Sequence, residues 1–547
     1  MSLPSQSWFS KGLNTLYDRL ALFNTAGIGI TPEVFLLNTD RFDQAIENTF
    51  NLLVSRSVKR YPKIGDGLVA MKRNQSNRAL ALLASFIMIG AAMAYLKNSE
   101  DSLPVSEAFR GIWVNGRGGM WVITEQGGTR YEYTRQTCIQ TETFTNTYTT
   151  DMFANALISN DQMTITFRSD KPDDFDLLFP NRLTKLSDLP VVCQPDNLIV
   201  ANTPNAIFEH LWHTFNDYYA FFDERGIDWS NLYSDISPTV SHDMSEDELL
   251  EVIDTLLTPL DDGHIELMTD DDRIDYSRSR SAEKYVTDTF PNQTEFDDID
   301  EYAMNLRKRW KKIVSGYFAS GKRGSAGGDS GKKVQWAVSV DNVGYLYIDS
   351  MGSLAGDKTS SGREDVEAIN KIMKSVLADI INTDALIIDV RINDGGWDPV
   401  GLAIANHFTD QSIPAFSKYT HTFGGNKDYI KAMFRPATSS PYLKPIAVLA
   451  SENTASAAEV FLIAMSALPH ATIMGETSRG IMADSLYKSL PNNWKFTIPN
   501  AFFIDINGNK YEVTGVPPQI SAPTDFSELF DQEKDSAIEA ALTALGY

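Results

Sequence analysis

Only two of the 547 residues are cysteine, Cys138 and Cys193, and only seven are histidine. A chain of this length is expected to form two or three domains with proper cores, so it can fold without covalent staples. Basic charge is also short: 48 Lys and Arg stand against 72 Asp and Glu, a net charge of −24. So acidic a surface repels phosphate backbones and argues against nucleic acid as a partner. Low-complexity tracts and short-period repeats are missing, which excludes a fibre, a solenoid or a mainly disordered chain.

Long uncharged apolar runs are absent with one exception, Ala79–Leu96, bounded by Arg78 and Lys97. About 18–20 apolar residues just cross a bilayer. Read from Met71, the basic stretch to Arg78, the apolar run and the small-residue site Ala92-Met93-Ala94 have the layout of a secretory signal peptide cleaved after Ala94. A signal anchor is the main alternative, and a buried helix the other. Either of the first two puts the residues after 96 outside the cytoplasm, since the basic flank stays inside. Residues 1–78 carry net +4, against −28 for the rest. Residues 1–70 receive no function. In an oxidising compartment Cys138 and Cys193 could pair across a long loop, or remain two buried thiols; spacing alone does not choose.

The organisation after residue 96 changes in steps. Residues 105–197 are rich in Thr, Tyr and Trp with Gly-Gly turn signals, the pattern of a small antiparallel β module. Residues 203–268 turn helical: Pro204 suits a first turn, apolar residues recur from Ile207 to Tyr219 at three- and four-residue steps, and Ser245 with Glu248 forms a capping box. Residues 269–333 read as a polar insert ending in a flexible loop, Gly321–Lys333. From 334 to 547 buried strands alternate with helices, among them Val343–Ile348, Ala385–Val390 and Ile446–Ala450, the signature of an α/β core with crossover connections.

Four groups in this frame could carry chemistry. Ser456 lies between a buried strand and a helix start, where free N–H groups of the first turn can stabilise an oxyanion. Ser456-Ala-Ala-Glu459 equally fits a capping box. Gly395 and Gly396 follow a second buried strand, where glycine lets the backbone approach a ligand, and with Ala457 they are candidate oxyanion donors; a plain strand-ending turn would look the same. His264 has three carboxylates within three positions and titrates near neutrality, as a base for serine must, although a packed or surface histidine is the usual case. Glu512 could orient that ring, or be a solvated strand carboxylate.

Taken in order, Leu260-Asp-Asp-Gly-His264, Asp389-Val-Arg-Ile-Asn-Asp-Gly-Gly396, Thr454-Ala-Ser-Ala-Ala-Glu459, Gly475-Glu-Thr-Ser-Arg-Gly480 and Glu512-Val-Thr-Gly-Val-Pro-Pro518 resemble the tail-specific (C-terminal processing) and tricorn-core serine peptidases. Phe215–Trp229 resembles the helical lead-in of that family's histidine-using branch. The resemblance spans Pro204–Ala522 and implies a ClpP/crotonase-like spiral α/β core, preceded by a helical subdomain. One branch of the family uses a Ser–Lys dyad; aligned through Gly475-Glu476 and Gly480, Ile481 stands at the lysine's place. The resemblance therefore implies Ser456 as nucleophile, His264 as general base and Glu512 as support, with Gly395, Gly396 and Ala457 at the oxyanion. Two positions depart from the tricorn pattern: Gly263 replaces a serine before the histidine, and Gln519 an aspartate ending the Gly-Val-x-Pro motif. No PDZ-like segment is found.

The function implied is peptide-bond hydrolysis by acyl transfer outside the cytoplasm. It calls for no metal or organic cofactor, and its substrates are short peptides or unfolded tails. The alternative is a non-catalytic binder of a peptide or hydrophobic ligand on the same fold, since fold does not carry activity. A third reading makes the β module the working surface of a structural envelope protein. The oligomeric state and a membrane anchor are left open.

Overall fold

The computed structural model describes residues 104–547 apart from 146–148, 150–152, 154–155, 168–177, 179–180, 271, 278–279, 320, 357–360, 423–428 and 438–439. The extension 1–70 and the segment 71–96, expected to be a signal peptide or anchor, lie outside the described residues. Among the described residues no helix is long and apolar enough to cross a membrane.

The β-branched and aromatic stretches of the first module form β1 (Gly111–Val114), β2 (Gly119–Thr124), β3 (Gly127–Tyr133), β4 (Cys138–Thr145), β5 (Ala156–Ile158), β6 (Thr164–Phe167) and β7 (Asn181–Leu186). They pair antiparallel in the order β4-β3-β2-β1-β7-β6-β5. Trp113, Ile123, Phe153 and Ile165 fill one side. A disulfide joins Cys138 to Cys193, and Ile199 bridges Ile139, so the link to the next segment is tied to β4.

Helices α1 (Pro204–Tyr218), α2 (Phe222–Arg225), α3 (Trp229–Ile236) and α4 (Glu246–Leu257) follow. The Thr203 side chain accepts from Ala206 N–H at the start of α1. At α4 the capping box forms: Glu248 N–H donates to Ser245 Oγ at 3.3 Å and Ser245 N–H to Glu248 Oε2 at 2.8 Å. Phe208, Leu211, Phe215, Leu249 and Ile253 build the shared core. The β module is fastened to α1 by Arg135 with Asp217 at 2.7 Å and by Thr137 with His210 at 2.9 Å.

The stretch 269–333, expected as a polar insert and loop, is structured over most of its length. After β8 (Asp262–Met268) and β9 (Arg273–Tyr276) come α5 (Ser281–Thr289), α6 (Ile299–Tyr317) and β10 (Arg323–Ala326), and β10 pairs antiparallel with β11 (Val334–Val338). Tyr302, Leu306, Trp310 and Val314, four residues apart, form the buried stripe of α6, while its other faces are charged. Gly324 lets the Trp336 ring lie against the backbone; a Cβ there would stand 2.2 Å from that ring.

The core continues through β12 (Val343–Ile348), α7 (Gly362–Ile380), β13 (Ala385–Asp389), α8 (Asp398–Ala405), β14 (Pro414–Thr420), β15 (Ile430–Met433), β16 (Ile446–Ala450), α9 (Ala457–Ser466), β17 (Ala471–Gly475), β18 (Ser485–Ser489), β19 (Lys495–Pro499), β20 (Ala501–Ile504), β21 (Ile520–Ser521), α10 (Phe526–Asp531) and α11 (Ser536–Ala544). The main sheet runs β10-β11-β12-β13-β16-β17-β21, with β12 to β21 parallel. Its central strands are buried on both faces, which is why they read as unbroken apolar runs. Ile369, Val376, Val400 and Phe461 of α7–α9 pack one face; Leu306, Trp310 and Ile538 of α6 and α11 pack the other. A second sheet, β18-β19-β8-β9, joins the upstream segment to a hairpin of the core. This is the expected α/β core with its helical subdomain and β module.

Candidate active site

The loops after β13, β16 and β17 gather at the carboxyl ends of parallel strands, the usual place for a site in such sheets. Ser456 ends the loop after β16. Thr454 Oγ1 donates to Val390 O at 2.9 Å, and Ala455 N–H to Asn393 O at 3.1 Å, so the loop is pinned to its neighbour. Ser456 has φ 55° and ψ −127°, a conformation that typically costs a non-glycine residue about 1–3 kcal/mol. It sits in a capping box with Glu459, whose Oε2 accepts the Ser456 N–H at 3.1 Å, and it is half-buried.

Gly395 presses directly against it. A Cβ on Gly395, whose φ is 104°, would fall 2.6 Å from Ser456 Cβ and 3.0 Å from Ala457 N. The Gly395 N–H is engaged by Asn393 Oδ1 at 2.9 Å. Gly396 is exposed, and neither its N–H nor that of Ala457 donates to a described protein group.

His264 comes from β8, in a bulge between the paired positions Asp262 and Glu266. Bulges re-aim side chains at the rims of sheets. Its backbone is held on both sides: its N–H donates to Asp262 Oδ1 at 3.0 Å, and Thr497 Oγ1 donates to its carbonyl at 2.7 Å. Asp262 is fully buried and receives Tyr219 Oη at 3.0 Å and the Arg225 guanidinium at 3.0 Å, both from the helical lead-in. The ring Nδ1 is buried without a partner, and burial lowers the ring's pKa against the pull of Asp262 and Asp484. No hydrogen bond joins the ring to Ser456 or to Glu512.

Glu512 instead receives the N–H groups of Met482 and Ala483 at Oε2, at 2.8 and 3.1 Å, while Oε1 is buried and unpartnered. Burial, reinforced by the charges of Asp262 and Glu459, pushes its carboxyl well above the ordinary range. Ile481, at the place of the dyad lysine, is a buried apolar side chain. Gln519 closes the sheet edge, its N–H donating to Ile473 O at 2.8 Å and its Oε1 accepting Ile473 N–H at 2.5 Å.

Glu459 is the partner in the helix cap that the sequence offered, and it is also a hub. Its Oε2 accepts Ser456 N–H at 3.1 Å and Ile481 N–H at 2.9 Å; its Oε1 accepts Gly480 N–H at 2.6 Å and Ser478 Oγ at 2.5 Å. Burial pushes its pKa up to about 7 against these four bonds. Ile481 in turn meets the histidine segment, since a Cβ on Gly263 would lie 3.1 Å from Ile481 Cδ1. The serine and histidine segments thus converge on one strap, Gly480–Ala483, bracketed by Glu459 and Glu512.

These features define a mixed α/β core with Ser456 at a helix start against Gly395 and with the His264 strand meeting the same strap. The comparisons agree. Residues 342–522 match the family model of Peptidase family S41, and residues 201–258 that of the Tricorn protease C1 domain. The carboxy-terminal processing protease CtpA of Bacillus subtilis (strain 168) is 24% identical over 183 residues, 33% of this chain and 35% of that protein. The carboxyl-terminal-processing protease of Picosynechococcus sp. (strain ATCC 27264 / PCC 7002 / PR-6) is 27% identical over 172 residues, 31% of this chain and 35% of that protein. The chain spans about a third of the length of the curated relatives it matches. A solved structure of a candidate peptidase from Parabacteroides merdae ATCC 43184 has a TM-score of 0.50 at 22% identity, covering 63% of this chain and 98% of that one, and shares the fold.

Proposed function

We propose that this chain is a serine peptidase that cleaves peptide bonds by acyl transfer, with Ser456 as nucleophile. The observation that carries the reading is the Ser456 backbone: a strained residue at a helix start, backed by Gly395. His264, kept neutral by burial, accepts the hydroxyl proton as Oγ attacks the carbonyl carbon, after its ring turns toward Ser456. Gly396 and Ala457 N–H groups receive the developing oxyanion, while Gly395 supplies the close approach rather than a hydrogen. The proton passes to the leaving amine, and water releases the acyl group by the reverse route. Glu512 supports this arrangement through the strap and Asp262 rather than by touching the ring.

The site of action is proposed to lie outside the cytoplasm, on accessible peptides or unfolded tails. The uncharged run Ala79–Leu96 behind a basic flank and the Cys138–Cys193 disulfide support that location. One observation favours the rival, a binding protein on the same fold: the His264 ring makes no hydrogen bond to Ser456. A fluorophosphonate probe separates the two. Labelling of the wild type and not of Ser456→Ala supports the peptidase; absence of labelling on folded protein overturns it. Sequencing the mature amino terminus tests export, with a start after Ala94 expected.

A further inference from the structure

Beside the nucleophile loop lies a pocket of about 240 Å³. Its floor belongs to the three loops of the site: Ile392 and Asp394 precede Gly395, Ser451 and Asn453 precede Ser456, and Glu476 follows β17. Its walls belong to segments outside both matched domains. Tyr285, Val286, Leu306 and Trp310 of α5 and α6 form one side, and Phe526 and Phe530 of α10 the other.

These walls are fixed in place. Tyr285 stacks on Phe530 at 5.6 Å and tilts against Phe526 at 5.2 Å. Trp310 lies over the Arg391 guanidinium at 5.2 Å and donates Nε1–H to Asp535 at 3.3 Å. The first N–H of α5, that of Ser281, donates to Glu452, a residue of the nucleophile loop itself. The wall and the reactive loop are therefore held to one another. Walls held by such contacts lose little freedom when a ligand enters, which is what preorganisation contributes to binding.

Charge decides the kind of occupant. Arg391 is neutralised by Asp389 at 2.7 Å and Asp535 at 2.8 Å. Arg307 is held by Asp349 at 2.8 Å, and Arg280 by Glu283 at 3.4 Å. Asp394 and Glu476 line the floor, so an acidic side chain is opposed there, and a charged side chain of either sign would lose its water against the aromatic walls. An uncharged apolar group has no such opposition and gains the aromatic walls. The volume falls below the ~300–1,000 Å³ of drug-sized sites, which suits a single large side chain rather than a folded element.

Resting on the serine-peptidase reading, we propose that this pocket is the chain's specificity subsite, holding one aromatic or long aliphatic side chain of the peptide next to the scissile bond. Selection by this protein is then set by α5, α6 and α10 and not by the shared domain.

Ala303 lines the pocket from α6 and is half-buried, so Ala303→Phe fills the space from the rim without opening the core. Ala282→Leu on α5 is a second filling variant. On the full chain, kcat/KM is measured for capped fluorogenic peptides that differ only by Phe, Leu or Ala at each position around the cut, together with the rate of Ser456 labelling by a small fluorophosphonate. A hydrophobic pocket typically discriminates by tenfold or more. The expected result is a preference of at least tenfold for Phe or Leu at one position, lost in both variants while labelling is unchanged. Equal cleavage of all peptides by the wild type, or equal losses on all peptides in the variants, overturns the subsite. If the wild type neither labels nor cleaves, the peptidase reading has failed, and calorimetry of the capped Phe peptide on Ser456→Ala decides the pocket alone. Binding weakened tenfold by adding Ala303→Phe supports it, and no binding overturns it.

Discussion

Glu459→Gln should change how stability responds to pH, because this carboxyl is buried at the centre of the site and its pKa is raised from 4.5 to about 7. A raised carboxyl binds its proton more tightly in the folded chain than in the unfolded one. Between pH ~4.5 and ~7 the unfolded state has already lost the proton, so folding is opposed increasingly as pH rises. At 1.36 kcal/mol per unit, the full opposition reaches about 3 kcal/mol above pH 7. Glutamine cannot ionise, so this dependence disappears. The substitution also has a constant penalty. The amide oxygen can keep Ser456 and Ile481, and the Ser478 hydroxyl can rotate to accept from the amide nitrogen, but Gly480 N–H is left facing a donor. One orphaned buried donor costs about 1–3 kcal/mol. Urea unfolding of the full chain and the variant at pH 5 and pH 8 should therefore show the variant weaker at pH 5, with the gap narrowing or reversing by about 2.5 kcal/mol at pH 8, since part of the opposition is already present at pH 5. A gap that is the same at both pH values, or that widens with pH, refutes the reasoning.

Gly395→Ala places a methyl group 2.6 Å from Ser456 Cβ on a backbone at φ 104°; fluorophosphonate labelling should fall at least a hundredfold, and a loss under threefold would contradict the close packing. The labelling rate of the wild type should drop as pH falls through a pKa below 6.5, since burial depresses that of His264; an acid limb above 6.5 would exclude it as the base. Cys138→Ser opens a loop of 55 residues and should lower urea stability by about 4 kcal/mol or less, an effect reproduced by reductant on the wild type and absent in the variant. Arg391→Met leaves the buried carboxylates Asp389 and Asp535 uncompensated and should destabilise by about 3–5 kcal/mol, measured by denaturation; a change under 1 kcal/mol would count against the ion triad.

Much of the core was legible because parallel strands buried on both faces are plain apolar runs, so Val343–Ile348 and Ile446–Ala450 appear at the bounds expected. The antiparallel strands β14 and β18 hide the same information, since they carry Lys418 and Lys488 inward, each buried among partners from distant segments. In α6 the four core residues are outnumbered by charges, and the stripe shows only at four-residue spacing. The strand-loop-helix pattern placed Ser456 at a helix start and Gly395 past a strand end, but only the resemblance of several motifs in order singled them out. The clamping roles of Asp262 and Glu459 could not be read, because a carboxylate becomes a clamp only when donors arrive from elsewhere: Tyr219 and Arg225 for one, Ser478 to Ile481 for the other.

That difference explains why buried acid concentrates around one short segment of backbone. A peptide strap of consecutive N–H groups, Gly480 to Ala483, has no strand partner along this edge and would leave four donors unsatisfied if covered by apolar side chains. Glu459 takes two of them and Glu512 the other two. Burial disfavours both carboxylates, and Glu512 also feels the charges of Asp262 and Glu459, which is the origin of their raised pKa values. The same oxygens that satisfy the strap also reach Ser456 N–H on one side and feel Asp262, the clamp of His264, on the other. Satisfying a short segment of backbone is thus what sets Ser456 and His264 in a common frame, and a change at either carboxylate should be felt at both.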